Sequence, residues 1–204
     1  MNKIKLICVD LQKDFSAEGG KYYHPHKNVP FIKETLVPFL QDHNIKITEI
    51  ISDYRQPRPG DRGDSCNPGT IGYESELPED IKLQPTWIKC MNNPIWTRDN
   101  IGVVLSDPGL PYEDPAAFGT WLDTVVGKPE ETDVVLLGLT IDRCILCTAQ
   151  ELSMRGYKVY VLEEGVDVYS GIDTEKIEVL NSSILKNWGK VISWDELKQR
   201  LSQP

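Results

Sequence analysis

Residues 133–152, which read DVVLLGLTIDRCILCTAQEL, decide the fold. The run from Val134 to Leu139 is apolar except for one glycine, which is typical of a strand buried on both faces of a parallel sheet. After a short polar turn, apolar residues recur at helical spacing from Ile145 to Leu152. The stretch therefore predicts a strand, a tight turn and a helix, with Cys144 at the turn.

Cys144 is a candidate nucleophile because of this position. The free N–H groups at the start of a helix carry partial positive charge, and that charge favours a thiolate. We therefore expect the helix to lower the pKa of this thiol. The alternative is a small core residue, since free cysteines are often buried and inert.

The composition limits the class of protein. With 204 residues, we expect one domain spanning residues 1–204. A net charge of -9 argues against nucleic acid or an anionic membrane as a partner. No apolar run reaches the roughly 20 residues that cross a bilayer. Five cysteines without a disulfide framework, and no signal-peptide pattern at the N-terminus, predict a cytoplasmic location.

Apolar periodicity predicts strands that alternate with helices. We expect strands at 4–9, 45–52, 86–90, 133–139 and 158–162, a short edge strand at 191–192, and helices near 31–40, 116–126, 144–155, 177–185 and 194–201. Residues 54–85 and 91–115 are expected to be irregular. This alternation predicts an α/β fold: a doubly wound, mainly parallel sheet of about six strands with helices on both faces, a Rossmann-like three-layer sandwich.

Three chemically active side chains fall at carboxyl ends of predicted strands, where open α/β sheets bind ligands. They are Asp10, Lys89 and Cys144. A carboxylate can take a thiol proton and later activate water, while an ammonium can orient the carboxylate and favour the thiolate. Each residue alone has an ordinary structural interpretation: Asp10 as a turn former or helix cap, Lys89 as a surface lysine and Cys144 as a core residue. Their coincidence at one sheet edge favours thiol-based hydrolysis.

Two motifs resemble the isochorismatase-like cysteine hydrolase superfamily, which includes nicotinamidases and N-carbamoylsarcosine amidohydrolases. Residues 10–15, DLQKDF, are similar to its D-x-Q-x-D-F opening. Residues 138–149, GLTIDRCILCTA, are similar to its G-x-x-T-D-x-C-V-x-x-T-A signature, with Ile141 in place of threonine and Ile145 in place of valine. The resemblance predicts a hydrolase acting on a small amide, carbamoyl or related C–N bond.

The resemblance also implies roles for individual residues. Asp10, Lys89 and Cys144 would form the catalytic triad, with an acyl-enzyme on Cys144. The backbone N–H groups of Thr140 and Cys144 would form an oxyanion hole, next to a cis peptide bond between Leu139 and Thr140. Members of this family commonly form dimers and tetramers, so the resemblance further implies that the protein is a homodimer or homotetramer.

The sequence departs from nicotinamidases at their metal site, which begins with Asp-x-His after strand two. Here that place reads Asp53-Tyr54-Arg55, and the following loop contains no histidine. We therefore expect no metal and no other cofactor. His24 and His26 are expected to be solvated loop residues.

The substrate is expected to be a small molecule, and one hypothesis is that it carries an anionic group. Guanidinium groups suit bidentate recognition of carboxylates, so Arg55, Arg58 and Arg62 are candidate ligands for an acidic group. The alternative is that these arginines are exposed and pair with Asp61 and Asp64. The aromatic candidates for the pocket wall are Phe15, Tyr22, Trp87 and Trp96, with a place in the core as the alternative. The candidate substrate-binding set is Phe15, Arg55 and Trp87.

Two other functions remain open from the sequence. Cys144 and Cys147 form a C-x-x-C at a helix start, the arrangement of thiol-disulfide redox proteins. That interpretation leaves Asp10 and Lys89 without a role. The other alternative is a non-catalytic member that binds a small molecule.

Overall fold

The computed structural model describes residues 2–60 and 63–202, and the strands found there form one large and one small sheet. The strands are β1 (Lys3–Val9), β2 (Ile47–Ser52), β3 (Lys82–Lys89), β4 (Trp96–Thr97), β5 (Tyr112–Glu113), β6 (Thr132–Leu139), β7 (Lys158–Asp167) and β8 (Lys190–Ile192). Six of them form a parallel sheet in the order β3-β2-β1-β6-β7-β8, and β4 and β5 form an antiparallel pair. The predicted fold class is confirmed.

Helices connect the strands and cover the sheet. They are α1 (Lys13–Ser16), α2 (Asn28–Phe31), α3 (Val37–Asp42), α4 (Pro115–Val125), α5 (Cys144–Met154), α6 (Asp173–Asn181), α7 (Ser183–Trp188) and α8 (Trp194–Leu201). A short π-helix at Ile32–Leu36 joins α2 to α3, and short 3₁₀-helices occur at Ile71–Tyr73 and Glu79–Ile81. None of the helices in the described residues is long and apolar enough to cross a membrane.

Several boundaries differ from the prediction. Strand β3 begins at Lys82 rather than at residue 86, and β7 continues to Asp167 rather than ending at residue 162. The helix predicted over 177–185 is divided into two helices. Ser182 is the N-cap of the second one, α7, because its side chain accepts a hydrogen bond from the Leu185 N–H. The β4–β5 pair lies in a segment predicted to be irregular, since strands of two residues leave no periodic signal.

The alternation of side chains along β6 divides the core into two layers. Val134 and Leu136 pack in a cluster with residues of α4 and α5. Val135 and Leu137 face the other way, into a cluster with residues of α2, α3 and α8. A strand covered on both faces needs apolar residues at every position, which explains the continuous apolar run that identified β6.

Gly138 is required where β6 leaves its regular register with β7. Its φ is +110°, and a Cβ there would lie 2.1 Å from the Val9 carbonyl oxygen. Only glycine fits that conformation and that approach to β1. The next peptide bond, between Leu139 and Thr140, is cis, as the resemblance predicted.

The candidate site lies where the winding of the sheet reverses. The chain moves outward from β1 to β2 and β3 on one side, and from β6 to β7 and β8 on the other. The carboxyl ends of β1 and β6 therefore border a crevice, the usual ligand site of such sheets. Asp10 directly follows β1, and Thr140 directly follows β6.

A buried carboxylate in β2 leads to a prediction about stability and pH. Glu49 is buried beside Lys82, whose Nζ lies 3.2 Å from its Oε2. Burial raises the pKa of Glu49, and the Lys82 charge offsets this only in part. Since the folded pKa exceeds the unfolded one, folding favours the protonated acid, and that advantage is lost as the pH rises through the folded pKa.

Glu49→Gln, which mimics the protonated acid, should therefore gain stability relative to the wild type between about pH 4 and about pH 7. Urea unfolding of both proteins at the two pH values measures this change. If the variant instead lost stability relative to the wild type as the pH rose, this prediction would be contradicted.

Candidate active site

The structure brings Asp10, Lys89 and Cys144 together. The Lys89 Nζ donates to Asp10 Oδ2 at 2.7 Å and lies 3.5 Å from Cys144 Sγ. All three side chains are buried, and Lys89 is 0% exposed. They come from three different segments, the ends of β1 and β3 and the start of α5, so the sheet edge assembles the cluster.

Two residues that the sequence analysis did not select complete the cluster. The Ser52 hydroxyl donates to Asp10 Oδ1 at 2.8 Å and accepts from Lys89 at 2.8 Å. The Tyr54 hydroxyl accepts from Lys89 at 2.7 Å and lies 3.3 Å from Cys144 Sγ. Asp10, Ser52 and Tyr54 thus provide three oxygens for the three ammonium protons of Lys89.

The charges in the cluster support a permanent ammonium. Burial alone would lower the pKa of Lys89, but the charge of the Asp10 carboxylate raises it well above its ordinary value. Burial also raises the pKa of Tyr54 well above its ordinary value. Lys89 therefore stays charged, and Tyr54 stays a neutral hydroxyl at neutral pH.

The expectation of a lowered thiol pKa is wrong. Burial, together with the negative charge of Asp10, raises the pKa of Cys144 to about 12, although Lys89 acts in the opposite direction. Removal from water outweighs the effect of the nearby ammonium. The resting residue is therefore a thiol, and it needs a base at the moment of attack.

This predicts an unusual pH profile for alkylation of Cys144. Because the thiolate fraction keeps increasing until the pH reaches the pKa of about 12, the rate with iodoacetamide should rise from neutral pH to about pH 10 without a plateau. Peptide mapping by mass spectrometry gives the rate at this residue. A plateau between about pH 6 and about pH 9 would show a thiolate already formed and would contradict the assignment.

A cavity of about 270 Å³ opens onto Cys144. Its walls combine polar and aromatic side chains with the cis-peptide turn; the lining residues are Asp10, Phe15, Tyr22, Tyr54, Arg58, Ser65, Asn92, Leu139, Thr140, Arg143, Cys144 and Tyr169. Asn92 Oδ1 lies 3.6 Å from Cys144 Sγ. Of the three candidate substrate-binding residues, Phe15 is on this wall.

The other two candidates lie elsewhere. The Arg55 guanidinium donates to both carboxylate oxygens of Asp53, at 2.9 and 2.7 Å, and to carbonyl oxygens of residues 100, 103 and 106. Trp87 packs against both Phe118 and Trp121, and its Nε1 donates to the Pro94 carbonyl. Both residues have structural partners and do not line the cavity. Arg62, like Asp61, lies outside the described residues.

Asp53 does not offer a metal-binding carboxylate. Burial would raise its pKa, but hydrogen bonds from Arg55 and the Gly102 N–H lower it below the usual value. Its Oδ1 and Oδ2 already accept hydrogen bonds from these donors. No group of three or more His, Cys, Asp or Glu residues suited to a metal occurs in 2–60 and 63–202. The donors at this place therefore do not fit a first-row metal ion.

The two loop histidines are not both solvated, contrary to expectation. His26 is buried, with its Nδ1 3.8 Å from Asp167 Oδ2. His24 packs edge-on against Tyr169, with 5.0 Å between ring centroids. The two rings therefore contact residues at and just after the end of β7 rather than water alone.

Comparisons with known proteins identify the fold. No family model matches the sequence, and no curated protein matches it. Among solved structures, the pyrazinamidase of Pyrococcus horikoshii in complex with zinc is 18% identical with a TM-score of 0.64, covering 94% of this chain and 99% of its own. An isochorismatase-like hydrolase from Alkaliphilus metalliredigens is 18% identical with a TM-score of 0.62, covering 97% and 98%.

A third similar structure is the N-carbamoylsarcosine amidase of Thermoplasma acidophilum, which is 18% identical with a TM-score of 0.60. The match covers 94% of this chain and 96% of that one. The chain therefore has the fold of the isochorismatase-like hydrolases along nearly its whole length, as the two motifs predicted. At this level of identity, the likeness concerns the fold, and the activity has to be argued from the site.

Proposed function

We propose that the protein is a cysteine hydrolase that cleaves a small amide, carbamoyl or related C–N bond without a metal. The observation that carries the proposal is the buried Lys89 ammonium, in contact with both the Asp10 carboxylate and the Cys144 thiol at a cavity. The cavity suits a small substrate. Three similar folds are named as a pyrazinamidase, a hydrolase and an amidase, which agrees with this reaction class.

In the first half-reaction, Cys144 Sγ attacks the substrate carbonyl carbon. The thiol proton passes to the Asp10 carboxylate, which must act as a base because the resting thiol is protonated. The Asp10 proton then goes to the leaving nitrogen, the C–N bond breaks, and ammonia or an amine departs. The acyl group remains on sulfur as a thioester.

In the second half-reaction, water attacks the thioester carbonyl while Asp10 takes its proton. Collapse of the intermediate breaks the C–S bond, releases the acid and returns the proton to Cys144. Lys89 stays charged throughout and holds Asp10 in position. We assign the oxyanion hole to the N–H groups of Thr140 and Cys144; Cys144 is the first residue of α5, so its N–H has no acceptor within the helix.

A panel of primary amides and N-carbamoyl compounds tests the proposed activity. The purified protein should release ammonia from at least one of them, in the presence of a chelator as well as in its absence. No release from any member of the panel, together with no reaction of Cys144 with small electrophiles, would contradict a hydrolase.

Replacing Cys147 distinguishes the redox alternative from the hydrolase. Hydrogen-bond contacts are described between the Cys144 thiol and Asp10, Lys89, Tyr54 and Asn92. The proposed hydrolytic mechanism uses these groups and gives Cys147 no step. Cys147→Ala should retain ammonia release. If the reduced wild-type protein reduces a disulfide substrate and the Cys147→Ala variant does not, the redox function is favoured instead.

A further inference from the structure

Two arginines line the cavity that opens onto Cys144. Arg58 comes from the loop after β2, and Arg143 directly precedes α5. Among the described lining residues, Asp10 is the one carboxylate, and Lys89 pairs with it. The lining therefore presents two guanidinium groups, in a chain whose net charge is -9.

Each guanidinium is held against the face of a tyrosine. The Arg58 Cζ lies 4.2 Å from the centroid of the Tyr54 ring, and the Arg143 Cζ lies 3.7 Å from that of Tyr169. Stacking fixes the plane of a guanidinium while leaving the N–H groups at its edge free to bind in that plane. Both groups are thus oriented before any ligand arrives.

The protein does not use all of these donors. Arg58 Nη2 donates to the Gly63 carbonyl at 3.1 Å, but the buried Arg58 Nε has no hydrogen-bond partner among the described residues. The nearest carboxylate recorded for Arg143 is Asp142, with 3.9 Å between Nε and Oδ2. A buried donor without an acceptor is unfavourable, and a bound anion would relieve it.

We propose that Arg58 and Arg143 form an anion subsite that binds a carboxylate of the substrate. The substrate class would then be acidic amides or acidic N-carbamoyl compounds, with the carboxylate at the arginines and the scissile carbonyl at Cys144. This inference rests on the proposed function. It places recognition of the acidic group on Arg58 and Arg143 rather than on Arg55, whose guanidinium is occupied by Asp53.

Alkylating agents that differ only in charge can test this subsite before the substrate is known. Iodoacetate and iodoacetamide have the same leaving group and similar size, and 3-bromopropionate and 3-bromopropanamide form a pair one methylene longer. The rate at Cys144 is measured by peptide mapping for each reagent. The ratio of acid rate to amide rate is then compared with the same ratio for N-acetylcysteine in solution.

We expect the ratio at Cys144 to exceed that of the free thiol by about tenfold or more for at least one pair, as charge-assisted binding implies. Arg58→Met and Arg143→Met should each remove most of this preference, and Arg143→Lys should restore part of it. Arg200→Met is the matched control, since the Arg200 Cζ lies 4.3 Å from the Tyr160 ring centroid and does not line the cavity.

The outcomes separate the two proposals. If Cys144 reacts with both reagents at the free-thiol ratio, or if the preference persists in both arginine variants, the anion subsite is wrong while the hydrolase proposal survives. If Cys144 reacts with neither reagent, the proposed function fails, and the subsite fails with it. Thermal unfolding of each variant verifies that a lost preference does not reflect a lost fold.

Discussion

Replacing Cys144 with alanine should lower the rate of ammonia release by about 10⁴-fold or more, because the acyl-enzyme can no longer form. The sulfur lies at the cavity wall beside Lys89 and Tyr54. Both neighbours have raised pKa values and stay protonated, so neither replaces the thiol as nucleophile. The fold should persist, since alanine is small, apolar and favourable at the first residue of α5. Ammonia release and thermal unfolding measure the two effects.

The matched control is Cys147→Ala, one helical turn further along α5. That variant should keep its rate within about threefold of the wild type, in line with a residue away from the reacting atoms. Equal losses in both variants would indicate a general effect on α5, and full activity of Cys144→Ala would exclude the mechanism.

Replacing Lys89 with methionine should destabilise the protein by about 3–5 kcal/mol, as expected when a buried charge loses its partner. The variant leaves Asp10, which is 1% exposed, without the ammonium at 2.7 Å. It also leaves the oxygens of Ser52 and Tyr54 without a donor. Activity should fall as well, since Asp10 loses the group that positions it. Urea unfolding measures the free energy.

Two controls make this result specific. Lys128→Met breaks an exposed ion pair with Asp123 and should change stability little. The double variant Asp10→Asn with Lys89→Met removes both buried charges and should be more stable than Lys89→Met alone. Asparagine suits position 10, where φ is +51°. A loss in Lys89→Met as small as in Lys128→Met would contradict the account.

The sheet and its edge residues could be predicted because they depend on local patterns. A strand with both faces covered is apolar at every position, so β1 and β6 were recognisable. Because the carboxyl ends of parallel strands meet at one edge of the sheet, the sequence places Asp10 and Cys144 at a common crevice, while the strand order is visible only in the structure. Lys89 is recognisable as the last residue of β3, although β3 is an edge strand with a weak apolar pattern.

The remaining parts of the site depend on contacts between distant segments. Ser52 and Tyr54 also lie at a strand end, so the rule that identifies Asp10 applies to them as well. Their hydroxyls are a weaker signal in the sequence than the charged Asp53 between them. Asn92 and Tyr169 come from irregular segments without periodicity. The raised pKa of Cys144 depends on burial, which a position at a helix start does not reveal.

The central claim is a covalent acyl-enzyme on Cys144. The most direct test is to mix the protein with amide and N-carbamoyl compounds, quench in acid during turnover, and locate any adduct by mass spectrometry. The account predicts a mass increase equal to the acyl group on Cys144, absent in Cys144→Ala and retained in Cys147→Ala. Ammonia release without any adduct on Cys144, or an adduct on another residue, would contradict it.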